Sequence, residues 1–185
     1  MLAIRNVLAA VFFALVLAGG ALQTAPAGCV VAGADLPAAL AEAQAAPARC
    51  LEIPAGVYPV GAPSNGAWLN VDADNLAISG AGAGKTIVQI TAPLTLTQDM
   101  AIVRLFGVGQ SIRDLTIDMG AGHTGAGSLL GISVYGSGGI GPHVGRGLRA
   151  TIERVELTGG YSANGSSGSG IGTYRAWGDP NAAQR

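Results

Sequence analysis

The sequence predicts an all-β fold of solenoid type, preceded by one short capping α-helix. Three observations carry this. Short apolar segments are divided by glycine-rich turns, a single alanine-rich run near the start has helix caps, and two different motifs recur with one spacing near 40 residues. With 49% hydrophobic and 11% charged residues, the chain can bury enough apolar surface to fold. Aromatics are 5%, so the core must be built from Val, Ile, Leu and Ala, which suits thin stacked sheets.

Residues 1–27 read as a signal peptide. Arg5 gives a positive start, Val7 to Leu17 is uncharged and apolar, and Ala25-Pro26-Ala27 is a small-residue cleavage site. Eleven apolar residues are too few for a bilayer core of about 30 Å. The expected location is therefore secreted, periplasmic or cell-surface; a lipid anchor on Cys29 is the competing reading, weakened by the residues before it. In an oxidising compartment Cys29 and Cys50 are expected to pair, closing a span of 21 residues, which chain entropy values at about 3 kcal/mol.

Residues 28–50 form the expected cap segment. From Asp35 to Ala46 the run is rich in alanine, with Asp35 placed as N-cap, Pro37 in the first turn, and Leu36, Leu40 and Ala43 at helical spacing. Pro47 ends it.

Residues 51–176 are expected to form the coils. Leu51-Glu52-Ile53, Pro54-Ala55-Gly56 and Val57 to Val60 read as strand, tight turn and strand. Further strands are predicted at Leu69 to Val71, Leu76 to Ser79, Thr86 to Ile90, Ile102 to Phe106, Ile112 to Ile117, Gly131 to Tyr135, Thr151 to Leu157 and Gly170 to Tyr174. The segments starting at Asn75, Asp114 and Arg154 share a pattern whose Leu or Val positions lie 39 and 40 residues apart. Gly131 to Tyr135 and Gly170 to Tyr174 echo each other at an offset of 39. A solenoid explains the recurrence, because each coil sets its inward residue over the equivalent one below at about 4.8 Å. A bend between Ile112 and Leu115 would turn a corner, and if the strands holding Ile112 and Ile152 belong to adjacent coils, Arg113 would stand level with Glu153 and Asp114 with Arg154, opposite charges crossed at the bend. One coil with a long loop or two coils per period both fit.

The run Leu51 to Tyr58, followed by Asn75-Leu76-Ala77-Ile78-Ser79-Gly80-Ala81-Gly82-Ala83-Gly84-Lys85-Thr86-Ile87-Val88, resembles the opening of the pectate-lyase-like superfamily. That opening is a helix, then I-x-[LF]-P-x-G-x-Y, then I-x-G-x-G-x-x-x-T-x-[IV]. The resemblance covers about Asp35 to Tyr174 and implies a right-handed parallel β-helix, of which this chain holds the N-terminal portion. It implies action on or binding of extracellular polysaccharide by a lyase or hydrolase, or else a non-catalytic adhesin or tailspike-like module, since a fold alone does not set activity. Ca²⁺ enters by this analogy only; the residues themselves show no cofactor.

Gly80 to Thr86 approaches a phosphate-binding loop but has Ser79 where that motif needs glycine, and β-branched residues follow in place of a helix. A net charge of -1 without a basic cluster argues against nucleic-acid partners. Among carboxylates Asp114 and Asp118 are the best local pair, yet four residues of strand separate them by roughly 13 Å, too far for paired hydrolysis. Asp72 and Asp74 precede an early strand. His123 and His143 lack neighbours at metal-ligand spacing. Tyr135, Tyr161, Tyr174 and Trp177 can offer flat faces to sugars or simply cover coil edges. Asn164-Gly165-Ser166 fits a glycosylation sequon. Substrate contacts, if any, fall to Asp114, Asp118, Tyr135 and Tyr174, and no catalytic residue is identifiable. Residues 177–185 carry no closing element, so a homo-oligomer or further coils are expected.

Overall fold

In a computed structural model the chain is described over residues 28–91, 94–120, 123–135, 149–160 and 169–174. The described chain is mostly β, with parallel strands in curled sheets and one short helix. Helix α1 spans Leu36–Ala45; Asp35 caps it by accepting from Ala38 N at 3.0 Å, and its proline lies in the first turn. Leu36, Ala39, Leu40 and Ala43 form its buried face.

The strands run in chain order as β1 (Val30–Val31), β2 (Cys50–Ile53), β3 (Gly56–Val60), β4 (Ala67–Val71), β5 (Ala77–Gly80), β6 (Thr86–Ile90) and β7 (Leu94–Leu96). There follow β8 (Met100–Leu105), β9 (Gln110–Asp118), β10 (His123–Gly125), β11 (Leu129–Tyr135), β12 (Ala150–Thr158) and β13 (Ser169–Tyr174). Every ladder between these strands is parallel. One sheet of seven strands has the order β1-β2-β5-β9-β6-β3 with β12 added on β9; a second is β13-β11-β8-β4; a third pairs β10 with β7.

Strand β9 spans a corner of the first sheet. Its first half pairs with β5 and its second half with β6, while β12 follows both halves on the other side. The turn point is Asp114, at φ 58, and Arg154 stands above it at φ 50. Both lie in the left-handed region, which explains how a nine-residue strand bends without losing its ladder. The expected corner between Ile112 and Leu115 is therefore present.

Register also answers how the period is built. Thr116 and Glu156, 40 residues apart, are partners across a single ladder, so no strand intervenes. Lower levels are shorter: Ser79 meets Arg113 over 34 residues and Gln89 meets Asp118 over 29. One expectation is corrected here. The alignment of Leu76 with Leu115 does not follow the register, because Ile78 faces Ile112. Asn75, at φ 58, shares the left-handed conformation of Asp114 but sits at a different bend, just before β5. Similar local turns produced similar sequence without equivalent position. The matches of Ile112 with Ile152 and of Ile132 with Ile171 are true register pairs.

The core is a narrow stack. Leu51, Ile78 and Ile112 occupy successive levels in register, and Ile152 packs on the same cluster from above. Leu36 and Leu40 of α1 close this stack from the start of the chain, leaving an apolar gap of about 10 Å³. The disulfide between Cys29 and Cys50 ties the segment before α1 to β2, as expected from export. Gln44 of α1 reaches the second sheet: its Oε1 accepts from Asp72 N at 2.7 Å and Ala73 N at 3.2 Å, and its Nε2 donates to Asn70 O at 3.2 Å.

Candidate functional site

Three polar regions are built by these elements. The first is the corner of the seven-stranded sheet, where Glu52, Ser79, Arg113 and Glu153 form one row across β2, β5, β9 and β12. Asp114 and Arg154 follow at the bend. Arg154 grips Asp114 with two hydrogen bonds, Nε to Oδ1 at 2.5 Å and NH2 to Oδ2 at 2.8 Å. This pairing holds the Asp114 carboxyl below its ordinary value, with Arg113 at 3.9 Å assisting. The crossed-charge register anticipated from Arg113, Asp114, Glu153 and Arg154 is present, with one difference in contacts. Arg113 Nε donates to Ser79 Oγ at 2.9 Å, one level down, and Glu153 sits 3.6 Å from Arg154 NH1. Glu52, half-buried, lies at the β2 end of this row. Burial raises its carboxyl above the ordinary range and nearby Asp114 adds to that, while Arg113 opposes it.

The second region is the outward row beyond the corner. Asp118 Oδ2 accepts from Gln89 Nε2 at 2.7 Å and its Oδ1 from Gly120 N at 3.0 Å. Glu156 Oε2 accepts from Thr116 Oγ1 at 2.9 Å. Asp114 thus stands at the bend and Asp118 beyond it, each engaged by its own partner.

The third region went unread in the sequence. It is an open depression of about 520 Å³ between the loops leading into β4 and β8, lined by Pro63, Asn65, Gly66, Gln98, Asp99, Met100 and Arg104. Ser64 and Ala67 exchange backbone hydrogen bonds across Asn65-Gly66, whose φ values of 50 and 78 make a two-residue turn with both central residues left-handed. Asn-Gly is the recognised signal for that turn and could have been found. Arg104, 8% exposed, donates to Asn65 O and, at 2.7 Å, to Gly66 O, which fixes the turn against β8. Its guanidinium also lies 5.7 Å from the Phe106 ring centroid. Asp99 Oδ1 accepts from Ser128 N at 2.8 Å, holding the second loop to the level above. An arginine buried by chain pairing 39 residues away leaves no local pattern.

The remaining candidates fall as follows. Tyr135 and Tyr174 are register partners on β11 and β13, so their backbones are brought together. Asp74 Oδ1 accepts from Val108 N at 2.9 Å and belongs to a turn. His123 is buried at 2% exposure, and neither ring nitrogen has a hydrogen-bond partner. The glycine-rich run after Ser79 is a turn: Thr86 opens a strand, and its Oγ1 accepts from Ala81 N and shares its one proton between Ile53 O and Pro54 O. His143, Tyr161, Trp177, the sequon at Asn164, residues 1–27 and residues 177–185 lie outside the described residues. Among the described residues, no three of His, Cys, Asp and Glu gather as a metal site, and no helix is long and apolar enough to cross a membrane.

No protein family, curated protein or solved structure matches this chain.

Proposed function

We propose that the chain is an exported protein whose folded part is the beginning of a right-handed parallel β-helix resembling the pectate-lyase-like superfamily, and that it binds extracellular polysaccharide. The observation that carries the reading is the run of parallel ladders in which equivalent positions of successive levels face one another, as Ile78, Ile112 and Ile152 do. Such stacking repeats polar outward positions at about 4.8 Å along an extended face, which suits an extended chain ligand better than a compact one. The disulfide supports export, since thiols pair in oxidising compartments.

Binding is favoured over cleavage because three carboxylates at and beyond the corner are engaged. Asp114 is held by Arg154, Asp118 by Gln89 and Gly120 N, and Glu156 by Thr116. Hydrolysis of a glycosidic bond by the paired mechanism needs two carboxyls poised about 5 to 10 Å apart with one free to carry a proton. The same internal pairing supports a second reading, a non-catalytic surface or structural module of adhesin or tailspike type.

The test is incubation of the protein with a panel of neutral and uronic-acid polysaccharides. Retardation in affinity electrophoresis is expected, without new reducing ends and without absorbance from unsaturated products. Product formation would move the reading to a lyase or hydrolase, and absence of both retardation and product would leave the structural module.

A further inference from the structure

We infer that the depression between the Asn65-Gly66 turn and the Gln98-Asp99 loop is a subsite for a neutral saccharide unit; this rests on the polysaccharide-binding reading and names the place and the class of sugar. At about 520 Å³ the depression has the size of small-ligand sites, which run from about 300 to 1,000 Å³. Its wall brings together one carboxylate, one guanidinium and the amide side chains of Asn65 and Gln98, so donors and acceptors are both supplied. Pro63 and Met100 add apolar surface for the C–H face of a ring.

The polarity extends below the rim. Arg104 is the register partner of Asn70 on one side and Ser133 on the other, so a polar row crosses β4, β8 and β11. In that row Asn70 Oδ1 and Ser133 Oγ are enclosed and have no hydrogen-bond partner, and Ser133 is 0% exposed. Enclosed polar atoms without partners are rare, and these two lie in the strand row of Arg104, behind the wall that the depression presents.

The class of ligand follows from the charges. Two terminal nitrogens of Arg104 already serve the carbonyls of Asn65 and Gly66, so the guanidinium is not presented as an open fork for a carboxylate. Asp99 shares the same wall and opposes an anion. Hydroxyl groups, which both donate and accept, fit the set and meet no uncompensated charge. A uronate does not.

The test uses the full chain with its disulfide intact, titrated with neutral gluco-, manno- and galacto-oligosaccharides and with oligogalacturonate while backbone amide NMR signals are followed. A neutral oligosaccharide is expected to move the amides of Gly66, Gln98 and Asp99, and both Gln98→Ala and Asp99→Asn are expected to weaken that binding about tenfold. Gln98→Ala should leave the unfolding profile unchanged, which separates lost contacts from lost fold. Neutral-sugar binding at full strength in both variants would overturn the subsite while leaving the polysaccharide reading intact. Stronger response of the same amides to oligogalacturonate would overturn the assignment to neutral sugars. Silence toward every sugar would remove the parent reading and this inference with it.

Discussion

Thr86 shows how a single side chain joins two levels of the structure. It is 0% exposed; its hydroxyl accepts from Ala81 N at 2.8 Å and donates toward Ile53 O at 3.1 Å and Pro54 O at 3.0 Å. Replacing it with valine keeps the shape and removes every one of these bonds, stranding enclosed backbone groups. Thr86→Val is expected to lower stability by about 1–3 kcal/mol in urea unfolding. Charge at the corner acts in two directions. Asp114, lowered by the Arg154 hydrogen bonds, contributes stability that is present above the ordinary carboxylate value and is lost as pH falls through its depressed value. Glu52, raised mainly by burial, does the reverse: its contribution is full below the ordinary value and is lost as pH rises through the raised one. Glu52→Gln is therefore expected to raise the melting temperature at pH 7 and to change little at pH 3. A lowered melting temperature at pH 7 would show that the Glu52 carboxylate is held by favourable charges that outweigh its burial.

At the scale of elements, the cap on the first level is held by unlike means at its two ends. The disulfide anchors β1 and the residues before α1 to β2, whereas Gln44 clasps the far end of α1 to the residues around β4. A link over 21 residues restricts the unfolded chain by about 3 kcal/mol. Reduction is expected to lower the unfolding midpoint accordingly and to speed exchange of the α1 amides first, because α1 is one of the elements nearest the released link. The corner in β9 depends on a different device. Asp114 and Arg154 adopt a left-handed conformation that side chains other than glycine, asparagine and aspartate take reluctantly. Arg154 holds it while bonded to Asp114, so the hydrogen bonds and the bend support each other.

Across the whole molecule, protection should follow the number of neighbours in the stack. Strand β9 has β5 and β6 on one side and β12 on the other, while β12 has a described ladder only with β9. Strands with fewer paired neighbours open more readily. Hydrogen exchange of peptides from 110–118 is expected to be slower than that of 150–158; equal rates would mean that β12 is covered as well as β9 is. Core truncation should be felt at a distance too. Ile112, 2% exposed, lies between Ile78 and Ile152 and faces the gap beneath α1, so Ile112→Ala is expected to cost about 2–5 kcal/mol, read by chemical denaturation.

The sequence by itself determined the class of structure, the helix with its Asp35 cap and most strand positions, because these depend on local periodicity, capping chemistry and glycine-rich turns. It also placed the corner between Ile112 and Leu115 and the crossed charges with Arg154, since two copies of one motif can be aligned without knowing the fold. The strands Val30–Val31, Leu94–Leu96 and His123–Gly125 passed unseen, each being two or three residues held by a neighbouring level and not by its own pattern. Only the tertiary structure decided that Ile78 stands level with Ile112, and Leu76 not with Leu115, because the chain between levels varies in length and turn motifs repeat at inequivalent bends. Only it gathered Asn65, Gln98, Asp99 and Arg104 around one depression. These residues are brought together by chain pairing across two levels, and no spacing along the sequence encodes the loop lengths that set such a meeting.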